Sequence, residues 1–241
     1  MTGGFGMLGR MQRNRLLLLA AAVGAAALVA VVLIVASSGG SDSSTTTTTA
    51  AAGSPTTKAL FAGIPQQGDT IGGPGAPATL TVYEDPQCPY CQQWNLNTLP
   101  TVLDTFVRAG RVKLVYHGIE IIGPNSTDGL RAIYAAGAQN KLWTFADALY
   151  THQGDENSGW ITPEVIRASA TESGANGDAI LTRAKSAAVL SALKAAEAEA
   201  ITDKVRGTPT FVLQKQLGAR TQLSAPLDPS GFSAALTAAL Q

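Results

Sequence analysis

The sequence predicts an α/β domain: a β-α-β unit, a helical insertion and a β-β-α unit, preceded by one transmembrane helix. Three observations predict it. A β-rich apolar run at 79–83 leads into a helix-periodic stretch and then a second apolar run at 112–117. The middle of the chain, about 125–204, keeps helical spacing throughout. Near the N-terminus, 21 consecutive residues at 16–36 carry no charge and are almost all apolar.

As a helix, segment 16–36 would be about 31 Å long, matching a hydrocarbon core of about 30 Å. Arg10, Arg13 and Arg15 precede it, and the first acid is Asp42. The positive-inside rule therefore leaves 1–15 as a cytoplasmic tail, with the rest of the chain outside the cytoplasm, on a single-pass anchor in the cell membrane. A cleaved signal peptide is the alternative. Its apolar region would normally run about 7–15 residues, and it would put the domain on the same side. No cysteine follows the segment closely, which argues against a lipid anchor. Residues 37–57 form a Ser/Thr/Gly/Ala tract, too poor in apolar surface to offset its ordering entropy, and read as a flexible linker. The folded domain is expected at 58–241, long enough for one core.

Net charge is zero but unevenly divided. Three of the 17 basic residues precede the apolar segment, so 14 lie beyond it against all 17 acidic ones, a formal −3. A nucleic-acid partner, which selects for a basic face, is not expected.

Within the domain, 60–64 reads as a short edge strand and 72–77 as a Gly/Pro-rich turn. The apolar run 79–83 suits a buried strand. Leu96, Leu99, Val102, Leu103 and Phe106 share one face of a helix over 90–109, in which Pro100 predicts a kink and Gly110 a stop. A right-handed crossover would make the strand at 112–117 parallel to the first. In the insertion, Ser126 or Asp128 is positioned to cap a first helix, and Leu142, Phe145, Ala146 and Leu149 mark a second. Thr162-Pro163-Glu164 is a strong helix start, and 176–178 breaks the chain before a long Ala/Leu-rich helix. The chain returns as a strand at 210–213, a partner at 222–223 across a turn near Gly218, and a last helix opened by Asp228-Pro229.

The chemistry is concentrated in Cys88-Pro89-Tyr90-Cys91, which contains both cysteines of the chain. A Cys-x-x-Cys between a strand and a helix is a thiol–disulfide exchange signature. With Pro89 in the first turn, Cys88 lies at the helix N-terminus, where free N–H groups favour a thiolate. Cys91, one turn on, points inward and can attack a mixed disulfide formed at Cys88. A purely structural disulfide here would close about four residues and contribute only about 2 kcal/mol. A zinc site from Cys88, Cys91, His117 and His152 has four ligands, but the later spacings match no short ligand motif. Neither metal nor cofactor is expected. His117 reads as polar decoration at a strand end, His152 as a helix-end residue, and Trp94, Trp143 and Trp160 as packing. The second constellation is Gly207-Thr208-Pro209-Thr210-Phe211. A proline just before a strand suggests a cis Thr208–Pro209 bond that brings the Thr208 backbone beside Cys88.

Three segments together resemble the DsbA-like branch of the thioredoxin superfamily. Glu84-Asp85-Pro86-Gln87-Cys88-Pro89-Tyr90-Cys91 is similar to its active-site loop, 143–150 to its helical insert, and 207–211 to its cis-proline loop. The resemblance spans roughly 60–241. It implies a thioredoxin fold with an inserted helical subdomain, acting on disulfides of exported proteins. It further implies Cys88 as nucleophile, Cys91 as resolving cysteine, Pro89 and Tyr90 as redox-tuning residues, and Thr208 and Pro209 in the substrate groove. A quinone-linked membrane partner would reoxidise the pair. Oxidation of exported thiols is the expected direction. Reduction or isomerisation at the same site, or a non-enzymatic peptide-binding module, are the alternatives. Two departures bear on direction. Tyr90 stands where the strongest oxidants have histidine, which predicts a less oxidising pair. Val82 stands where many relatives carry a buried acid, so a proton for Cys91 must come from water or another group. Glu84 and Asp85 are nearer in sequence but are expected to be exposed or capping carboxylates. Thr208 also occurs before the proline in isomerases and reductases of the family.

Overall fold

The computed structural model describes residues 56–216 and 218–241. The expected tail, the membrane segment and nearly all of the linker lie outside those residues. Among the described residues no helix is long and apolar enough to cross a membrane.

The core is a six-stranded sheet in the order β1-β2-β4-β3-β5-β6, with β1 Gln66–Gln67, β2 Thr70–Ile71, β3 Ala78–Glu84, β4 Val112–Gly118, β5 Thr210–Lys215 and β6 Arg220–Gln222. β3 and β4 are parallel, in register from Ala78↔Val112 to Glu84↔Gly118, as the crossover rule predicts. β5 runs antiparallel to β3, pairing Tyr83 with Thr210. Because β3 is central and covered on both faces, it reads as a nearly continuous apolar run. Its alternating residues divide between the faces. Leu80, Val82 and Glu84 point toward the helix that follows the cysteine loop. Tyr83 points the other way, where its hydroxyl donates to Asp203 at 2.7 Å.

That helix, α2, is helical from Pro89–Gln93 through a π turn at Trp94–Thr98, an α turn at Leu99–Val102 and a second π turn at Leu103–Val107. It runs past Pro100 rather than stopping there. Pro100 has no N–H to give, and the π turn before it, in which the Leu99 N–H reaches the Trp94 carbonyl, takes up the altered register. The expected edge strand at 60–64 is instead helix α1, Thr57–Phe61. The Thr56 hydroxyl caps it at the Ala59 N–H, and the Arg108 guanidinium takes the carbonyls of Leu60 and Ala62 at 2.7 Å each. A short apolar run cannot by itself distinguish strand from helix, and the Thr56 cap together with the distant Arg108 decides it.

The insertion supplies α3 Ser126–Gly137, α4 Leu142–Thr151, α5 Pro163–Ser173, α6 Gly177–Arg183 and α7 Ala187–Thr202. Thr162 caps α5 through the Val165 N–H, as its sequence signature indicates. Ser126 does not cap α3; its hydroxyl is drawn to Asp85 instead. His117 is not edge decoration. It lies buried on central β4, edge-on to Tyr83 at 5.1 Å and 3.7 Å from Glu199 of α7. His152, just past α4, bonds Glu172 at 2.8 Å.

The last helix, α8 Pro229–Leu240, is capped by Asp228, which accepts the Gly231 N–H at 2.8 Å. Its Phe232 is fully buried between Phe211 of β5 and Trp94 of α2, at 4.8 and 5.9 Å between ring centroids. Trp94 and Trp143 are core residues, as expected. The aromatic trio locks α2 against the sheet just below the cysteines. Phe232→Ala should therefore cost about 3–5 kcal/mol, read as a lowered midpoint in urea with an unchanged slope.

Candidate active site

The cysteine loop leaves the carboxyl end of central β3, where open sheets leave room for a ligand. Asp85 organises it. Its side chain is fully buried and accepts four hydrogen bonds. One oxygen takes the Gln87 N–H at 2.8 Å and the Ser126 hydroxyl at 2.6 Å. The other takes the Ile121 and Ile122 N–H groups at 2.8 and 2.9 Å. The Cys88 N–H donates to the Asp85 carbonyl at 3.0 Å, closing a tight turn. Gln87 extends the frame, donating to Ser126 at 2.9 Å and accepting the Asn157 N–H at 2.7 Å.

Cys88 is the N-cap of α2, with Pro89 in the first turn, and Cys91 lies within that turn, fully buried. Both are free thiols. The Cys91 side chain, hydrogen-bonded to the Cys88 sulfur, does most to bring Cys88 down to about 6. Partial burial opposes this, and the Thr208 hydroxyl and the N–H groups of Cys91 and Tyr90 reinforce it. That hydroxyl is buried near Cys88 and makes no hydrogen bond of ordinary geometry to any described residue. The thiol form of Cys88 donates to the Thr208 carbonyl at 3.2 Å. Burial, the bond to Cys88 and the nearby Glu84 push the Cys91 thiol well above the usual range. Two neighbouring sulfurs thus differ sharply in acidity.

Glu84 is not an exposed carboxylate, nor does Asp85 decorate the surface; both are completely buried. Glu84 accepts from the Asn95 amide at 2.7 Å and from the Tyr150 hydroxyl at 3.3 Å. The same Asn95 nitrogen reaches the Cys91 carbonyl at 3.0 Å. Burial outweighs these two donors and raises the Glu84 carboxyl to about 8, with the charge on Cys88 adding to the rise. The position Val82 leaves apolar is therefore answered one pleat further on. The strand period carries the signal: residues 82 and 84 share a face.

The Thr208–Pro209 bond is cis. Tyr90, Thr208, Pro209, Phe211, Leu223 and Leu227 line a groove of about 430 Å³, and none of its lining residues is charged. Tyr90 is 62% exposed beside it. The structure thus brings all six expected site residues together: Cys88, Pro89, Tyr90, Cys91, Thr208 and Pro209.

The family model described as thioredoxin matches residues 66–237. The chain belongs to the thioredoxin family. It is similar to a probable disulfide bond formation protein D of Bacillus cereus, 30% identical over 109 residues, covering 44% of this chain and 50% of that one. The chain thus spans about half the length of the curated relatives it matches. Among solved structures, oxidised BdbD from Bacillus subtilis superposes with a TM-score of 0.62 at 18% identity, covering 73% of this chain and 97% of that one. Chlamydia trachomatis DsbA gives 0.57 at 21% identity, covering 70% and 88%. These thioredoxin-family neighbours share the α/β fold with its helical insertion.

A raised carboxyl has a thermodynamic signature. Folded Glu84 holds its proton up to about pH 8, whereas the unfolded chain releases it near 4.5. Stability contributed at this site therefore falls as pH rises between those values and is level above them. Glu84→Gln removes the fall and keeps the bond from Asn95, its amide nitrogen donating to the Tyr150 oxygen where the carboxylate accepted from it. Its stability relative to the parent should rise from pH 5 to pH 8 by on the order of a few kcal/mol, then level off, in urea melts across that range.

Proposed function

We propose that the chain is an extracytoplasmic thiol–disulfide oxidoreductase that oxidises thiols of exported proteins through a Cys88–Cys91 disulfide. The observation that supports this best is the division between the thiols, Cys88 lowered to about 6 and Cys91 raised. In the proposed cycle a substrate thiolate attacks Cys88 Sγ. The disulfide breaks, its electron pair goes to Cys91 Sγ, and Cys91 takes a proton. Glu84, largely neutral at pH 7, is the acid at hand for that proton and regains its own from solvent. A second substrate thiolate then attacks the substrate sulfur of the mixed disulfide. Cys88 departs as a thiolate, which is stable at neutral pH. The substrate gains a disulfide and loses two electrons, and the dithiol form of the pair results.

The magnitude bears on direction. A thiol of pKa about 6 is about nine-tenths ionised at pH 7, which favours the reduced form by roughly 1.4 kcal/mol, or about 30 mV. The value lies between those near 3.5 and near 7 known for a strong oxidant and a reductant of this fold. Its nearness to the reductant supports a second reading, in which the same site reduces or reshuffles disulfides. Reoxidation by a quinone-linked membrane partner completes the oxidase reading, and the apolar segment 16–36 is consistent with an anchor beside it.

Cys88→Ser should abolish oxidation of a reduced test protein, and unaltered oxidation would leave only the peptide-binding module. The reduction potential of the pair separates the directions. The oxidase reading expects a value between about −120 and −200 mV, and one near −270 mV would make the protein a reductant.

A further inference from the structure

We infer that Gln153, in the turn that ends α4, is a positioning residue for Cys88. This rests on the reading above, in which Cys88 is the attacking thiol. The Gln153 amide nitrogen donates to the Pro86 carbonyl at 2.8 Å and to the Cys88 carbonyl at 3.1 Å. Both partners are acceptors only, so the amide must present its nitrogen, which fixes its orientation. The Gln153 backbone is itself held, its N–H donating to the Tyr150 carbonyl at 3.2 Å.

The Cys88 carbonyl also accepts the Cys91 and Gln92 N–H groups, each at 3.1 Å. Gln153 is thus a third donor on the N-cap carbonyl of α2, brought from a separate part of the fold. A reciprocal bond runs the other way. The Gln92 side-chain amide donates to the Tyr150 carbonyl at 2.9 Å. Two glutamines therefore cross-link the first turn of α2 with the last turn of α4, one on each side.

Two effects of Gln153 on Cys88 share a sign. Holding the 86–88 carbonyls keeps Cys88 at the helix N-terminus, where its sulfur meets the Cys91 thiol and the free N–H groups. The donor's own partial positive charge, directed at the Cys88 peptide, also favours a thiolate nearby. Removing the donor should therefore raise the Cys88 pKa, and replacing it with a negative acceptor should raise it further. A cation able to reach the same carbonyls should hold it down. Gln153 is half-buried at a helix end, so substitutions there do not open the core.

The test is the rate of alkylation of the reduced full-length protein by iodoacetamide as a function of pH, together with melting temperature. At pH 5 the rate follows the thiolate fraction, so each unit of pKa is a factor of ten. Gln153→Glu should react about 10-fold more slowly than the parent and Gln153→Ala about 3-fold more slowly. Gln153→Lys should match or exceed the parent, and all four proteins should converge at pH 9. A merely structural role would lower the melting temperature in every variant without setting Glu and Lys apart. The inference is overturned if all variants stay within about 1.5-fold of the parent at pH 5, or if Glu and Lys shift the rate the same way. If Gln153→Glu does not fold, the Ala and Lys variants decide the same question, Lys having to be faster than Ala. Cys88→Ser separates the two levels. If it retains the fast low-pH reaction, the reactive thiol is not Cys88 and the functional reading fails. If it loses that reaction while the Gln153 variants match the parent, the positioning role alone fails.

Discussion

Two adjacent carboxyl groups end the central strand in full burial, and the arrangement of the cysteine loop follows from how each is satisfied. A buried carboxyl is costly unless it is neutral or well hydrogen-bonded. Asp85 takes the second course, gathering donors from its own loop, from 121–122 and from the start of α3. Glu84, with two donors on a longer side chain, takes the first and keeps its proton to about pH 8. One carboxyl therefore fixes the geometry of the loop and the other is held largely neutral near Cys91, a division set by the donors each receives.

The same principle separates the sulfurs. Cys88 stands at a helix N-terminus with donors directed at it, and Cys91 is one turn deeper with a carboxyl in range. The helical insertion participates directly. Tyr150 holds Glu84 and the Asp85 carbonyl, and Asn157 and Ser126 hold Gln87. The insertion thus forms one wall of the site, and the uncharged groove beside Pro209 forms the other.

Much of this was legible in the sequence, because its determinants are local. The β3-α2-β4 unit follows from apolar period and Gly punctuation, and the Cys88 environment from a strand–helix junction with proline in the first turn. Segment 60–64 reads locally as a strand but folds as part of a helix and its cap, because its carbonyls are held by Arg108, more than 40 residues away. The Asp85 partners at 121, 122 and 126 are equally remote, so nothing near residue 85 indicates burial. Glu84 is closer to legible: strand alternation places it with Leu80 and Val82 on the face toward α2. An acid in such a register had to be either buried with partners or at the strand's end, and it is both. Gln153 gives no local signal, since an amide past a helix end is ordinary until the carbonyls it meets are known.

The claim on which the account rests is that burial and hydrogen bonding split the acidities of two thiols and one carboxyl packed together. A pH titration of the reduced protein, followed by NMR of 13Cβ-labelled cysteine and 13Cδ-labelled glutamate, measures all three. The account predicts midpoints near 6 for Cys88 and near 8 for Glu84, with Cys91 still protonated at pH 9. Cysteines titrating together at about 8.5, with Glu84 ionising near its ordinary value, would contradict it.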